Sequence, residues 1–313
     1  MRNRILIVMT AVLMVLLLFS SCEKMVVDDE KLPTTESDAN LILKVRVTGS
    51  RADAAPWKTL NFVVYQDGSK IKTVTQTQED TDFGAVAMTL APGTYQVMVL
   101  GHSSASNPVL SDPQNIKFTN DNGFSDTFVA YQSILVEEKA KTCEMEMNRV
   151  SAMVRFRTLD AKPAAVKRAR FYYVGGSGAV NAVTGYGVDK SKQVVFVDFP
   201  DEMTGKPLQI DLYTFVRSED DATLNLTINM LDASGDLLSY PGMVEGAREL
   251  KNVPIKRNQI TEYSGYFFSA NSDPSGEEDP DVPDDPIDPT GESETSFVLV
   301  VNPEWGNWAT YNY

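Results

Sequence analysis

The sequence predicts an all-β protein made of two consecutive β-sandwiches, and three observations predict it. Short apolar runs, many alternating with polar residues, recur along the chain and are split by turn residues. No segment longer than about a dozen residues sustains the 3.6-residue apolar period of a helix. Past Asn148 and Arg149 the same strand-and-turn pattern begins again. Strand runs at short spacing favour a sandwich or barrel over parallel sheets, and two consecutive sandwiches are the reading taken.

Residues 1–21 read as a lipoprotein signal peptide. Arg2 and Arg4 give a basic start, residues 5–19 are apolar except for Thr10, and Ser20 and Ser21 precede Cys22. The apolar stretch, about 15 residues, is short for a membrane-spanning helix of roughly 20. Small residues directly ahead of a cysteine resemble a bacterial lipobox, which implies cleavage before Cys22 and acylation of its sulfur and its new amine. Two or three acyl chains, at about 0.8 kcal/mol per buried CH₂, give effectively permanent anchoring. Residues 22–38 are polar and acidic and read as a flexible tether. Acidic residues just after the cysteine resemble the export signal of surface-exposed lipoproteins; the periplasmic face is the alternative.

The first sandwich is expected over residues 39–148. Residues 40–47 (NLILKVRV) place Leu41, Leu43, Val45 and Val47 on one face. Residues 60–66 run into Asp67-Gly68, a hairpin signal, and residues 71–77 are the partner strand. Residues 85–90 lead to the turn Ala91-Pro92-Gly93, after which residues 94–100 alternate Tyr95, Val97 and Val99 against Gln96 and Met98. Residues 126–132 and 141–147 complete the set. The second sandwich, 149–270, opens on residues 150–157, with Val150, Ala152, Val154 and Phe156 on one face. It continues through 167–174, a Gly-rich loop at 175–187, and strands at 193–199, 208–216, 222–231 and 259–269. Residues 162–168, after Pro163, read as a short helical turn.

Residues 271–294 change character. Over 272–294 there are ten acids, five prolines and no base. Such a segment lacks the apolar surface to fold, and its charges repel, so an extended linker is expected. The tail, 295–313, turns apolar again. Phe297, Val298, Leu299, Val300 and Val301 are apolar on both faces, as in a strand buried on both sides. Trp305 and Trp308 follow, two of the three tryptophans in the chain. A lone strand exposes unpaired backbone groups and needs a sheet edge. That edge belongs either to the chain's own sandwiches or to another subunit, as in donor-strand complementation. A leash of about 23 residues reaches roughly 70 Å at full extension, so 297–301 with Trp305 and Trp308 form a candidate donor strand.

The chemistry is otherwise sparse. The formal charge is −15, and loss of Arg2 and Arg4 takes it to −17. That balance argues against nucleic acid and anionic lipid headgroups as partners. With Cys22 lipidated, Cys143 is left alone; it alternates with Met145 and Met147 and reads as a small core residue. His102 is the single histidine, which excludes a multi-histidine zinc site. No cofactor or metal signature is present, and the acids of 272–294 lack the spacing of a calcium loop. Asp198, Asp201 and Glu202 sit beside Pro200 and Gly205 in an apparent loop, with no arrangement of acid, base and oxyanion donors. An enzyme is not expected.

The whole mature chain resembles the fimbrillin-associated anchor family of type V pili, lipoprotein anchors or minor subunits of fimbriae. The stretches that carry the likeness are FSSC at 19–22, TLAPGTYQVMVLG at 89–101, EMNRVSAMVRFR at 146–157, RNQITEYSGYFF at 257–268 and NPEW at 302–305. The resemblance implies two transthyretin-like β-sandwich domains, a lipidated base on the outer membrane, and pilin subunits as partners. It also implies that, in related pilins, a protease cuts after an arginine near the N-terminus and frees a groove for the next subunit's donor strand. Arg51, just past the first expected strand, stands where that arginine would be, and Arg46 lies within the strand; an ordinary loop arginine is the other reading.

The expected function is therefore structural: a surface lipoprotein that anchors, or is a minor subunit of, type V fimbriae and donates its C-terminal strand to a neighbouring pilin. The alternative is a glycan-binding surface lipoprotein of a polysaccharide-uptake system, with Trp57, Trp305 and Trp308 stacking on sugar rings; core packing is the other reading of each tryptophan.

Overall fold

The computed structural model describes residues 38–47, 57–218 and 222–269, and the backbone of 297–302. The chain is all-β, as the sequence predicts, and its strands form two layered cores. The first is built from β1 (Leu41–Val47), β2 (Thr59–Gln66), β3 (Ser69–Thr77), β4 (Ala85–Met88), β5 (Gly93–His102), β7 (Phe128–Val136) and β8 (Lys141–Arg149); a short β6 (Ile116–Lys117) lies outside it. Their hydrogen-bonded order is β3-β2-β5-β7-β8-β1-β4. Asp67 and Gly68 both have positive φ, 51° and 76°, and make the tight turn between β2 and β3 that their identities demand. In β8, Cys143, Met145 and Met147 face inward and are buried while Glu144 and Glu146 are exposed, the alternation a half-buried strand requires. Tyr95 fixes the turn before β5 by donating its hydroxyl to the Ala91 carbonyl at 2.8 Å.

The seven strands do not form one flat layer. β7 and β8 share only the pairs Phe128↔Arg149 and Val129↔Asn148. Beyond that corner β7 stays with β5, whereas β8 pairs in parallel with β1 from Leu41↔Lys141 to Val47↔Met147. The sheet thus folds over on itself and closes on Leu41, Leu43, Phe62, Val97, Phe128 and Met145, among others. Burial of such side chains, at roughly 25 cal/mol per Å², is the main favourable term for each core.

The second core uses β9 (Ser151–Thr158), β10 (Arg168–Val174), β12 (Lys192–Asp198), β13 (Gln209–Phe215), β14 (Thr223–Leu231), β16 (Ala247–Pro254) and β17 (Ile260–Gly265), with short β11 (Ala179–Val180) and β15 (Leu237–Leu238). Its ladders repeat the first set strand for strand. β9 pairs antiparallel with β13 and parallel with β17, as β1 does with β4 and β8. β10 lies between β12 and β14, and β14 pairs β16, as β2 lies between β3 and β5, and β5 pairs β7. Phe156, Phe171, Leu212, Leu226 and Tyr263 fill this core. Among the described residues β15, on β14, and β18 (Phe297–Asn302), on β17, have no counterpart in the first set.

A third cluster joins the two. Val63, Tyr65, Met98 and Leu100 on the outer face of β2 and β5 pack against Phe118 on one side of the seam and Val180 and Phe215 on the other. β6 pairs with β11, and the Phe118 N–H donates to the Gly178 carbonyl at 2.9 Å. The Gly-rich loop that carries β11 needs its glycines: Gly175 has φ 119°, and a Cβ there would fall 2.1 Å from the Thr223 carbonyl oxygen.

Two expectations need correction. Residues 162–168 form a single hydrogen-bonded turn, from the Val166 N–H to the Pro163 carbonyl, before β10 begins; Asp201–Met203 is the one helical turn, of 3-10 type, among the described residues. β16 was not anticipated, because ARELKNVP mixes charge with proline; its inward residues are Arg248, Leu250 and Val253.

Candidate functional site

β17 is flanked by β9 on one side and by β18 on the other. β18 runs antiparallel to it in the register Gly265↔Phe297 to Ile260↔Asn302. Phe297, Val298, Leu299, Val300 and Val301 therefore lie at the outer edge of the sheet β13-β9-β17-β18, with one strand as partner. Hairpins between antiparallel neighbours usually close with about two to five residues, whereas residues 266–296 separate this pair, roughly thirty residues where loops beyond about 12–15 are uncommon. Cys22, Arg51, Trp305 and Trp308 lie outside the described residues.

The point where the chain leaves β17 is fixed by an acid just past the end of β9, the parallel neighbour whose Thr158 pairs Gly265. Asp160 accepts from the backbone N–H groups of Phe267 at 2.9 Å, Phe268 at 2.5 Å and Ser269 at 2.8 Å. Phe267 and Phe268 are buried, and Phe268 meets Tyr240 edge-on at 5.2 Å. The Arg248 guanidinium lies 4.3 Å from the Phe267 ring centre and donates to the carbonyls of Pro241 and Phe267. Burial pushes Arg248 down to about 10, with Asp160 acting in the opposite sense.

At the seam, Arg149 and Asp126 form a two-pronged pair. Arg149 Nε donates to Asp126 Oδ1 at 2.8 Å and Nη2 to Oδ2 at 3.0 Å. Ser151 donates to the same carboxylate at 2.9 Å, and Arg149 Nη1 reaches Asn258 Oδ1 at 3.2 Å. The Arg149 side chain is 3% exposed and that of Asp126 16%. Burial raises the Asp126 pKa above the ordinary carboxylate value, and Arg149 pulls it back down. Beside this pair opens a cleft of about 570 Å³ whose walls include Tyr131, Gln132, Glu146, Asn148 and Arg257. Arg257 donates to the Thr184 carbonyl at 3.2 Å and lies over Tyr186.

No catalytic constellation appears among the described residues, and no group of His, Cys, Asp or Glu there is placed to hold a metal ion. Asp198 and Asp201 pair with Arg168 and Lys167, whose hydrogen bonds hold both carboxyls below their ordinary values. Of the two readings of Trp57, core packing holds and the sugar platform does not: it is 2% exposed and packs at 5.1 Å against Phe128 in the first core.

His102 is a buried structural group. Its Nε2 lies 3.1 Å from Asn61 Oδ1 and 3.2 Å from Asn107 Oδ1, while Nδ1 accepts from the Ser104 N–H at 3.2 Å. Those partners select the neutral ring with its proton on Nε2. Burial lowers its pKa below 6.5. The folded state thus disfavours the protonated ring: the stability it contributes is complete above about pH 6.5 and is lost as the pH falls below that value. Being the sole histidine, it gives one imidazole resonance in proton NMR. That resonance should titrate below pH 6.5, and a midpoint at or above it would contradict the buried neutral ring.

Asp160, Asp126 and Arg248 were not singled out from sequence. Arg149 was noted only as the start of the repeat, and no local pattern marks any of the four as part of a clasp or a seam.

A family model described as a family of unknown function (DUF6562) matches residues 61–295. No curated protein is similar to the chain. Among solved structures it is similar to an inferred adhesin from Bacteroides ovatus, at 10% identity over 75% of this chain and 91% of that one, with a TM-score of 0.45. It is similar to a fimbrilin from Porphyromonas gingivalis, at 12% identity over 75% and 92%, TM-score 0.42. It is also similar to the fimbrial anchor protein Mfa2 from the same organism, at 10% identity over 84% and 96%, TM-score 0.41.

Proposed function

The chain belongs to the DUF6562 family, a family of unknown function, and we propose that it is a structural lipoprotein of a type V fimbria. Acyl chains on Cys22 hold it on the outer membrane, facing outward. Its two sandwiches, 39–148 and 149–270, form the body, and the strand 297–301 at the end of the acidic linker 271–294 is given to a neighbouring pilin subunit.

The observation that carries this reading is the attachment of β18. Among the described residues it occupies a sheet edge and pairs with β17 alone, and it ends a connection of roughly thirty residues. Closing a loop of about thirty residues rather than four costs about 2 kcal/mol more, so this length works against the hairpin it closes. Length and charge become useful when the strand travels: 272–294 carries ten acids and five prolines, a composition that favours reach over packing, and release of β18 breaks a single ladder while leaving β9 and β17 paired.

β1 bears on Arg51. It lies between β4 and β8, paired to both, and Leu41 and Leu43 are fully buried. A cut after Arg51 would sever the covalent link to Cys22 but leave β1 held by two ladders. We take Arg51 to stay uncut and the lipid to remain attached.

Deleting residues 295–313 should leave both sandwiches folded, with the cooperative unfolding transition retained, and abolish co-purification with pilin from cells that express both. Undiminished pilin capture by the shortened chain would remove the basis of the reading.

A further inference from the structure

The cleft beside the Arg149–Asp126 pair has a volume of about 570 Å³, within the roughly 300–1,000 Å³ of small-ligand sites. Most such sites are walled by apolar side chains. This one is walled by a guanidinium, side-chain amides, a carboxylate and a phenol, drawn from both sandwiches.

The groups from the second sandwich are held in place before any ligand arrives. Arg257 Nη1 donates to the Thr184 carbonyl at 3.2 Å, and the guanidinium carbon lies 4.3 Å from the Tyr186 ring centre. Gly185 makes room for it: the residue has φ 72°, and a Cβ there would fall 2.6 Å from Arg257 Nη1. Asn258 is tied at two points. Its N–H donates to the Ser151 carbonyl at 2.9 Å, and its Oδ1 accepts from Arg149. The first sandwich adds Tyr131 and Gln132, half-buried on β7, and Glu146 and Asn148, exposed on β8. Tyr131 stands opposite Met98 in the ladder and packs against the cluster that joins the two cores.

We propose that this cleft binds a neutral saccharide. The site is independent of the donated strand and adds recognition to a structural role. Charge argues for a neutral ligand. Arg149 is matched by Asp126, and the other two charged walls, Arg257 and Glu146, are of opposite sign. The chain's formal charge of −15 repels nucleotides and acidic sugars at a distance. An apolar ligand would bury the amides and the guanidinium without partners, which is costly. Sugar hydroxyls both donate and accept. They suit a wall where Arg257 only donates, Glu146 only accepts, and Gln132, Asn148 and Asn258 do both. The Tyr131 ring supplies an amphipathic surface for the C–H face of a pyranose.

The test presents the full-length chain to neutral tetra- to hexasaccharides of glucose, mannose, galactose and xylose, with oligogalacturonate of matched length as the anionic control. Isothermal titration should give a dissociation constant of about 1 mM or tighter for at least one neutral series, and no heat of binding for oligogalacturonate. Arg257→Gln should weaken that binding about tenfold, the loss of one hydrogen bond to a charged group. Gly185→Ala displaces the guanidinium but keeps every polar group of the cleft, and should weaken binding severalfold. Asn148→Ala, at an exposed position that leaves the packing untouched, should do the same. Deletion of 295–313 should leave the affinity unchanged. Binding indifferent to all three substitutions would overturn the proposal; if it also vanished on deletion of 295–313, the sugar sits on Trp305 and Trp308 instead. Failure of every neutral series, or tighter binding of oligogalacturonate, would overturn it as well. So would displacement of the sugar by a synthetic peptide of residues 271–294, since the cleft would then belong to the acidic linker.

Discussion

Replacing Arg149 with methionine should destabilise the chain by about 3 kcal/mol at pH 7. The substitution keeps an apolar stem of similar length but removes the guanidinium, whose carbon lies 4.5 Å from the Phe128 ring centre. It removes both prongs from Asp126 and leaves that carboxylate buried with Ser151 as its remaining side-chain donor. A charge in that position either stays ionised at a cost or takes up a proton. The loss should therefore be smaller at pH 5 than at pH 7, because a neutral Asp126 tolerates the site better. Urea unfolding of the Arg149→Met chain at the two pH values measures both effects. Adding Asp126→Asn should recover much of the stability; if the double variant is no better than the single one, the uncompensated carboxylate is not the cause.

The second large effect should come from Asp160→Ala, again about 3 kcal/mol, since hydrogen bonds to a charged group contribute roughly 1.5–3 kcal/mol each and are not additive. Three backbone N–H groups lose their acceptor at once, and Arg248 loses the negative charge that favours its charged form. Asp160→Asn keeps one oxygen and should cost less. Amide exchange at Phe267, Phe268 and Ser269 gives the direct measurement: their protection should fall in Asp160→Ala before that of β9 or β14 does. Unchanged protection at those three amides would show that Phe267 and Phe268 hold the chain by packing alone.

What could be read in advance was local. The alternation of Cys143, Met145 and Met147 announces β8, and Asp67-Gly68 announces the β2–β3 turn, because a period of two and a positive φ are properties of neighbours in sequence. What could not be read was long-range. β1 finds β8 a hundred positions away (Leu41↔Lys141), and β9 finds β17 from Met153 to Ile260, both in parallel; nothing in either segment names its partner. Asp160 meets Phe267 across 107 positions, and an acid after a strand is unremarkable until the fold delivers three amides to it. Trp57 had two readings, core and sugar platform, and the core is where it lies; its spelling does not say which core neighbour, Phe128, it meets. The tail was legible as a strand in search of an edge, and the edge it holds, on β17, was one of two left open.

The two parallel ladders have a mechanical consequence. β1 is entered at Leu41 and β8 is left at Arg149, toward β9. A pull between those ends slides the two strands past each other, so the rungs from Leu41↔Lys141 to Val47↔Met147 bear the load together. β9 and β17 repeat the geometry from Met153↔Ile260 to Thr158↔Gly265. A hairpin tugged from its open ends gives way rung by rung, like a zip. This chain, pulled at Leu41 and Gly265, instead offers two shear joints in series.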